Sequence, residues 1–264
     1  MTVTRTTPVV VPLSAPVNLR DLGGIPVAGG TVREGFAIRA DDLSIVTPEV
    51  ADALVVAGLR TVIDLRSSDE ATITGRGPLG ARTGVNYHHV PFMADIGQAS
   101  DVPLDQPAFE QATFERMYVR MYEGAAGQIV TALAIIAHAP GTVAFHCAAG
   151  QDRTGVLAAA ILLVLGAEGE AIVADYTRTG ENSAAIMERI APVMTPLMKK
   201  FGYDLDAAAR SAMRSEFSPE PMHGLLTVLA ERHGDPLAPL RAAGLTDDLV
   251  ARLRERALTT TGAA

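Results

Sequence analysis

The sequence predicts an α/β fold with a helical C-terminal portion. Through the first two thirds of the chain, segments with strand-like and helix-like residue patterns alternate, which is typical of α/β folds. From about residue 167 to residue 258 the segments are helical throughout. The 264 residues allow one large domain or two small ones, and the sequence contains no repeats and no long linker. A single domain over residues 1–264 is therefore predicted.

The elements of the first half follow from local signals. Residues 47–49 (TPE) combine a capping hydroxyl, a proline in the first turn and an acid, so a helix is predicted to start there and to end near Gly58. Residues 59–65 and 87–91 are predicted strands. Residues 94–107 are polar, contain proline and glycine and show no periodicity, which indicates a mobile loop.

The elements of the second half are mostly helices. Two are predicted at about 108–122 and 128–138, and a short strand follows at 141–145. Residues 154–166 are almost all apolar at helical spacing, so this helix is predicted to be buried. Further helices are predicted at about 171–178, 183–190, 196–217, 219–233 and 246–258. Thr246 is the expected N-cap of the last helix.

Composition excludes several classes of function. The chain has 22 Lys+Arg, 30 Asp+Glu and a net charge of -8, so no broad basic surface for a nucleic acid is expected. The single cysteine excludes an internal disulfide framework and a cysteine-rich metal site, and neither a metal nor another cofactor is predicted. The longest apolar run, 156–167, is shorter than the roughly 20 residues that span a bilayer, so no integral membrane segment is expected. A cytoplasmic protein is predicted, with export by an unrecognised route left open.

The chemically informative segment is 143–155 (VAFHCAAGQDRTG), where a predicted strand leads through a loop into a helix. A thiol attacks only as the thiolate, and a free thiol ionises near about pH 8.5. Because Cys147 lies just before the helix, the positive end of the helix dipole stabilises the ionised sulfur. The Thr154 hydroxyl can hydrogen-bond this sulfur, and His146 can support the loop through hydrogen bonds to the backbone.

The residues after the cysteine are suited to binding a phosphate. Backbone N–H groups along the loop can curl around one centre and form an anion nest. Gly150 permits the positive φ or the close backbone approach that such a curl requires. The planar guanidinium of Arg153, six residues after Cys147, matches two phosphoryl oxygens at once. The predicted phosphate-binding residues are Ala148, Ala149, Gly150, Gln151, Asp152 and Arg153.

The spacing from His146-Cys147 to Arg153-Thr154 resembles the loop of cysteine-dependent protein tyrosine phosphatases, and more narrowly that of bacterial tyrosine-protein phosphatases whose loop reads HCxxGKDRTG. Other segments are similar to that group as well: NLRDLGG at 18–24, RADDL at 39–43, DLRS at 64–67 and ADY at 174–176. The resemblance covers residues 17–258. It implies a protein-tyrosine-phosphatase-like fold, with a central, mostly parallel sheet flanked by helices. It also implies a metal-independent phosphatase with a phosphocysteine intermediate.

Two features of the loop leave questions open. The group usually has Lys where this chain has Gln151, so weaker activity on highly charged phosphoinositides is predicted than for relatives with that Lys. A general acid must protonate the leaving oxygen, and a base must then activate water. Asp152 corresponds to the aspartate in the group's loop and is the first candidate; Asp95, in the polar stretch, is the second.

The predicted function is hydrolysis of a phosphomonoester, with Cys147, Arg153, Asp152 and Asp95 as the candidate catalytic residues. A phosphotyrosine protein is the first expected substrate class, because a phenoxide is a good leaving group. A small-molecule phosphate or a phosphoinositide is the alternative with the same chemistry. A phosphate-binding module without turnover ranks lower, since both acids are present. Arsenate reduction would usually need further cysteines, and a rhodanese would not need Arg-Thr at this spacing. The sequence does not predict an oligomeric state.

Overall fold

The computed structural model describes residues 11–92, 111–200 and 217–258, with only the backbone described at 111–113 and 197–200. The strands are β1 (Arg20–Asp21), β2 (Pro26–Val27), β3 (Gly30–Thr31), β4 (Ala37–Ala40), β5 (Leu59–Asp64), β6 (Asn86–His89) and β7 (Thr142–His146). The helices are α1 (Pro48–Val56), α2 (Ser68–Thr74), α3 (Gln111–Gly124), α4 (Ala126–His138), α5 (Asp152–Leu165), α6 (Gly169–Thr177), α7 (Ser183–Lys200), α8 (Glu220–His233), α9 (Ala238–Ala242) and α10 (Asp247–Ala257). Short 3-10 turns cover Leu43–Ile45, Pro78–Ala81 and Gly180–Asn182.

Five strands form the central sheet, in the order β1-β4-β7-β5-β6. β4, β7, β5 and β6 are parallel, and only β1 at the edge is antiparallel, which confirms the mostly parallel sheet. β7 is buried at every residue and lies in the middle of the sheet. His146 at its end pairs with Ala40 at the end of β4 and with Asp64 at the end of β5. The segments that follow these three strands therefore lie together at one edge of the sheet.

Both faces of the sheet are covered by apolar side chains. Because side chains alternate along a strand, Val143 and Phe145 join one core cluster and Ala144 joins the other. The larger cluster contains α5, which is buried at eleven of its residues, as the apolar sequence predicts. A parallel strand that is buried on both faces is typical of a sheet with helices on either side.

Several predicted boundaries agree with the structure. The Thr47 hydroxyl caps α1 by accepting from the Val50 N–H at 3.3 Å, and the Thr246 hydroxyl caps α10 by accepting from the Leu249 N–H at 3.2 Å. α5 ends at Gly166, whose φ of 81° is left-handed. The helical C-terminal portion is confirmed within the described residues.

The prediction of a helix break between 190 and 196 is wrong. α7 continues through both Pro192 and Pro196. Each proline removes one N–H donor, but the two lie four residues apart and are both exposed, so the carbonyls they leave unpaired can bind water. The rest of the helix predicted at 196–217 lies almost entirely outside the described residues, as does the loop predicted at 94–107.

Sequence patterns also missed α2 and the short strands β1 to β4. Strands of two to four residues are too short to show an alternating pattern. Across the described ranges, the structure contains no helix with the length and hydropathy needed to cross a bilayer.

Candidate active site

Cys147 is the first residue after β7, and the loop that it opens ends where α5 begins at Asp152. The side chain is 1% exposed, and its sulfur lies at the N-terminal end of α5. The Thr154 hydroxyl, from the first turn of that helix, donates a hydrogen bond to Sγ at 3.2 Å. A hydroxyl donor and a helix N-terminus both stabilise negative charge on sulfur.

The loop has its N–H groups free and its carbonyls bound. Among the described residues, no acceptor is paired with the N–H groups of 148–151. In contrast, the side-chain amide of Asn18 donates to the carbonyls of Ala149 and Gly150, each at 3.2 Å. The Asp42 N–H donates to the Ala148 carbonyl at 3.0 Å. A loop bound on its carbonyl side presents its N–H groups as a nest for an anion.

Gly150 makes the loop's tight curl possible. Its φ of 68° is left-handed, and a Cβ at this position would lie 2.6 Å from both the Ala40 carbonyl oxygen and the Asp41 nitrogen. Both neighbours are backbone atoms that follow or end β4, so the loop packs directly against that strand. A side chain at position 150 would therefore meet both conformational strain and a steric clash.

A buried charge cluster lies behind the loop. Asp175 on α6 accepts from Arg39 at 2.5 Å and from Arg20 at 2.8 Å. Burial would raise the pKa of Asp175, but the two guanidinium groups lower it below its ordinary value. Arg39 also donates to the Gly150 carbonyl at 2.9 Å and is 0% exposed, so it holds the loop from behind. Segment 18–24 thus contacts the loop through Asn18 and this cluster.

His146 is also fully buried behind the loop. Its Nδ1 lies 3.3 Å from the Leu43 nitrogen and 3.2 Å from the Cys147 carbonyl oxygen, so it is within hydrogen-bonding distance of two backbone groups. Burial lowers the pKa of His146, with a smaller opposing effect from Asp64, and favours a neutral ring. Asp64 itself accepts hydrogen bonds from Arg66 at 2.7 and 2.9 Å, and both side chains are buried.

The Arg153 guanidinium is held by Glu70. Its two terminal nitrogens donate to the two carboxylate oxygens at 2.5 and 2.9 Å. Glu70 lies in the first turn of α2 and also accepts from the Ser67 N–H at 2.7 Å, in a capping box. Burial alone would raise the pKa of Glu70, but the charge and hydrogen bonds of Arg153 lower it to about 2. Glu70 is therefore ionised and fixes the orientation of the arginine.

Asp152 is half-buried and contacts the first of two tyrosines that are hydrogen-bonded to each other. The Tyr118 hydroxyl donates to its Oδ1 at 2.6 Å, and the Tyr118 and Tyr176 hydroxyls lie 2.9 Å apart. Burial raises the pKa of Asp152, while the Tyr118 hydrogen bond and the charge of Arg153 oppose that rise. A carboxyl with a raised pKa is suited to carrying a proton.

The structure thus brings together every predicted site residue that it describes, from His146 to Thr154. Asp95 lies outside the described residues. Sequence reasoning missed the parts played by Glu70, Tyr118, Tyr176 and Asn18. Residues 67–70 read Ser-x-x-Glu, a capping-box pattern that could have revealed α2, but nothing in the sequence pairs Glu70 with a residue 83 positions away.

The arrangement can hold a tetrahedral dianion against a sulfur nucleophile. Free N–H groups and one clamped guanidinium supply donors and positive charge, and a proton carrier lies beside the loop. Within the described ranges, no group of three or more His, Cys, Asp or Glu side chains is arranged to hold a metal ion.

Residues 11–259 match the tyrosine phosphatase family. The chain is 32% identical over 215 residues to a protein of Cupriavidus necator provisionally named a tyrosine-protein phosphatase, covering 74% of this chain and 75% of that relative. It is 25% identical over 270 residues to a triple specificity protein phosphatase of Mycobacterium tuberculosis, covering 90% of this chain and 95% of that protein. A tyrosine-protein phosphatase of Nostoc commune is 30% identical over 142 residues, covering 53% and 46% respectively.

Proposed function

Because the chain belongs to the tyrosine phosphatase family and is a cysteine-dependent phosphatase of that type, we propose that Cys147 is its nucleophile and that phosphotyrosine in proteins is its preferred substrate. The observation that carries the proposal is the position of the Cys147 sulfur. It accepts a hydrogen bond from Thr154 and lies at the start of a loop whose N–H groups at 148–151 have no acceptor in the described residues. A phosphoryl group is the ligand such a loop binds best.

In the first step the Cys147 thiolate attacks phosphorus, and a sulfur–phosphorus bond replaces the bond to the leaving oxygen. The loop N–H groups and Arg153 hold the three equatorial oxygens, where negative charge is spread in the transition state. Glu70 keeps the guanidinium in position, since it binds both terminal nitrogens. Asp152 donates its proton to the leaving oxygen, and its raised pKa favours the protonated form that this step needs.

In the second step water attacks the phosphocysteine. Asp152, now ionised, accepts the proton from that water, inorganic phosphate leaves, and the sulfur recovers its negative charge. The Thr154 hydroxyl stabilises the departing thiolate, because it donates to Sγ. Asp95 stays the second candidate for the acid.

The charge of the loop supports the proposed substrate class. Gln151, where the group that the loop resembles usually has Lys, adds no positive charge. A loop with one guanidinium suits a single phosphoryl group better than a phosphoinositide with several. A small phosphomonoester or a phosphoinositide is the alternative substrate class.

The test is hydrolysis of an aryl phosphate and of a phosphotyrosine peptide, with a chelator present, by wild type and Cys147→Ser. We expect the variant to lose at least about 1,000-fold in kcat with its melting temperature unchanged. A phosphoserine peptide, a phosphoinositide and a nucleotide then rank the substrate classes. Comparable turnover by Cys147→Ser would overturn the nucleophile, and a preference for the phosphoinositide would overturn the substrate class.

A further inference from the structure

A chain of hydrogen bonds runs from Tyr176 through Tyr118 to Asp152. We propose that Tyr118, supported by Tyr176, is a positioning residue for Asp152. Its hydroxyl directs the proton of the acid to Oδ2 and makes protonation of the carboxyl less favourable. The inference rests on the proposed function, in which Asp152 is the acid and base. It adds two residues from outside the loop to the machinery of the reaction.

The ionised form of Asp152 fixes the direction of the hydrogen bonds among these three side chains. An ionised carboxylate can only accept, so Tyr118 donates to Oδ1 at 2.6 Å. The Tyr118 oxygen is then the acceptor for the Tyr176 hydroxyl at 2.9 Å. Each donation polarises the next, so the last donor, Tyr118, is strengthened. As long as Tyr118 donates to Oδ1, the proton of the acid form resides on Oδ2.

A comparison with Tyr122, which is also on α3, distinguishes the Tyr118 hydroxyl from a buried hydroxyl that has no contact with the loop. Tyr118 and Tyr122 are both 0% exposed and lie one helical turn apart. The Tyr122 hydroxyl donates to the Pro236 carbonyl at 3.1 Å, which satisfies a buried donor and does nothing for the loop. The Tyr118 hydroxyl is satisfied by the candidate acid instead. The two tyrosines therefore form a matched pair for mutation.

The charged and titratable groups that face Asp152 in the described residues are Arg153 from its own helix, Tyr118 from α3 and Tyr176 from α6. Of these, Tyr118 and Arg153 favour the ionised form against the effect of burial. Removing the Tyr118 hydroxyl leaves Arg153 and the Asp152 backbone N–H to oppose the effect of burial. The pKa of Asp152 then rises further, and the carboxyl loses the contact that fixes its rotation.

The experiment compares wild type, Tyr118→Phe and Tyr122→Phe with two aryl phosphates, one with a poor and one with a good leaving group. We expect Tyr118→Phe to lose about tenfold in kcat/KM for the poor leaving group and little for the good one, because only the first needs the acid. The alkaline limb of its kcat/KM profile should move up by about one pH unit. Tyr122→Phe should behave as wild type in both respects.

A second readout does not depend on turnover. Titration of the carbon-13 carboxyl signal of Asp152, assigned by its absence in Asp152→Asn, should show a higher pKa in Tyr118→Phe and a smaller rise in Tyr176→Phe. An unchanged titration overturns the inference, whatever the activity. So does an equal loss for both leaving groups with an unshifted alkaline limb, since that is the result of a structural role. Failure of the proposed function would be seen separately, as turnover that survives Cys147→Ser.

Discussion

Arg153 and Glu70, 83 residues apart in the sequence, form a two-point contact in which both terminal nitrogens of the guanidinium bind both oxygens of the carboxylate. The carboxylate is 1% exposed, and the arginine side chain is 14% exposed. The pair joins the first turn of α2 to the first turn of α5. The orientation of the arginine in the loop therefore depends on a helix that is remote in sequence.

Glu70→Gln should lower kcat/KM for an aryl phosphate by roughly 10- to 100-fold, because an Arg153 side chain that is no longer held in position stabilises the transition state less. The amide is nearly the same size but carries no charge and offers only one acceptor oxygen. Glu49→Gln is the matched control, since Glu49 is an exposed acid in the first turn of α1. Equal activities for wild type and Glu70→Gln would mean that Arg153 is positioned by other contacts.

The same carboxylate should give the protein a pH-dependent stability. The pKa of Glu70 is about 2 in the folded protein, against an ordinary 4.5. Its contribution is therefore fully present above about pH 4.5 and is lost as the pH falls toward 2. Urea unfolding of wild type and Glu70→Gln should show a free-energy gap that narrows by roughly 2 kcal/mol between about pH 6 and about pH 3. A gap of constant size would show that Glu70 stabilises the fold without its charge.

Gly150→Ala should destabilise the protein by roughly 2–5 kcal/mol and abolish most activity, because the new Cβ meets the backbone of Ala40 and Asp41. Gly84→Ala is the control for conformational strain alone. Gly84 has a φ of 87°, but a Cβ there has nothing within 4 Å. That variant should lose only about 1 kcal/mol and keep its turnover. If thermal unfolding gives the two variants equal losses, the close approach of loop and strand is not what requires glycine.

Gln151→Lys should raise turnover of a phosphoinositide relative to a phosphotyrosine peptide by about threefold, because one added charge at a partly exposed site has a modest effect. Gln128→Lys, at an exposed position on α4, makes the same change of net charge and should leave the ratio as it is. The ratio of the two kcat/KM values is the measurement. An unchanged ratio in Gln151→Lys would count against charge at this position as the basis of substrate preference.

The sequence was sufficient to predict the elements that carry their own local signals. The Thr47 and Thr246 caps, the apolar helix α5 and the loop that begins at Cys147 all depend on residues close together in the chain. Contacts between distant segments were not predictable in the same way. Asn18 binds carbonyls 131 and 132 residues away. The similarity of segment 18–24 to the family did not indicate this contact.

The Tyr118–Asp152 contact shows the same limit. The pattern of α3 indicates a helix but does not distinguish a tyrosine that faces the loop from one that faces the Pro236 carbonyl. The helix break predicted before Pro196 failed for a different reason. Local propensity favours a break at proline, whereas the packing of buried Val193 and Ile190 keeps α7 continuous.

Asn18 and Arg39 hold the carbonyl side of the loop through their own hydrogen bonds. The conformational entropy of these residues is therefore lost during folding, and binding of an anion costs little further conformational entropy. A site preorganised in this way responds to the tetrahedral oxyanion itself more than to the group attached to it. The released phosphate should consequently compete with fresh substrate, so that accumulation of product slows the enzyme.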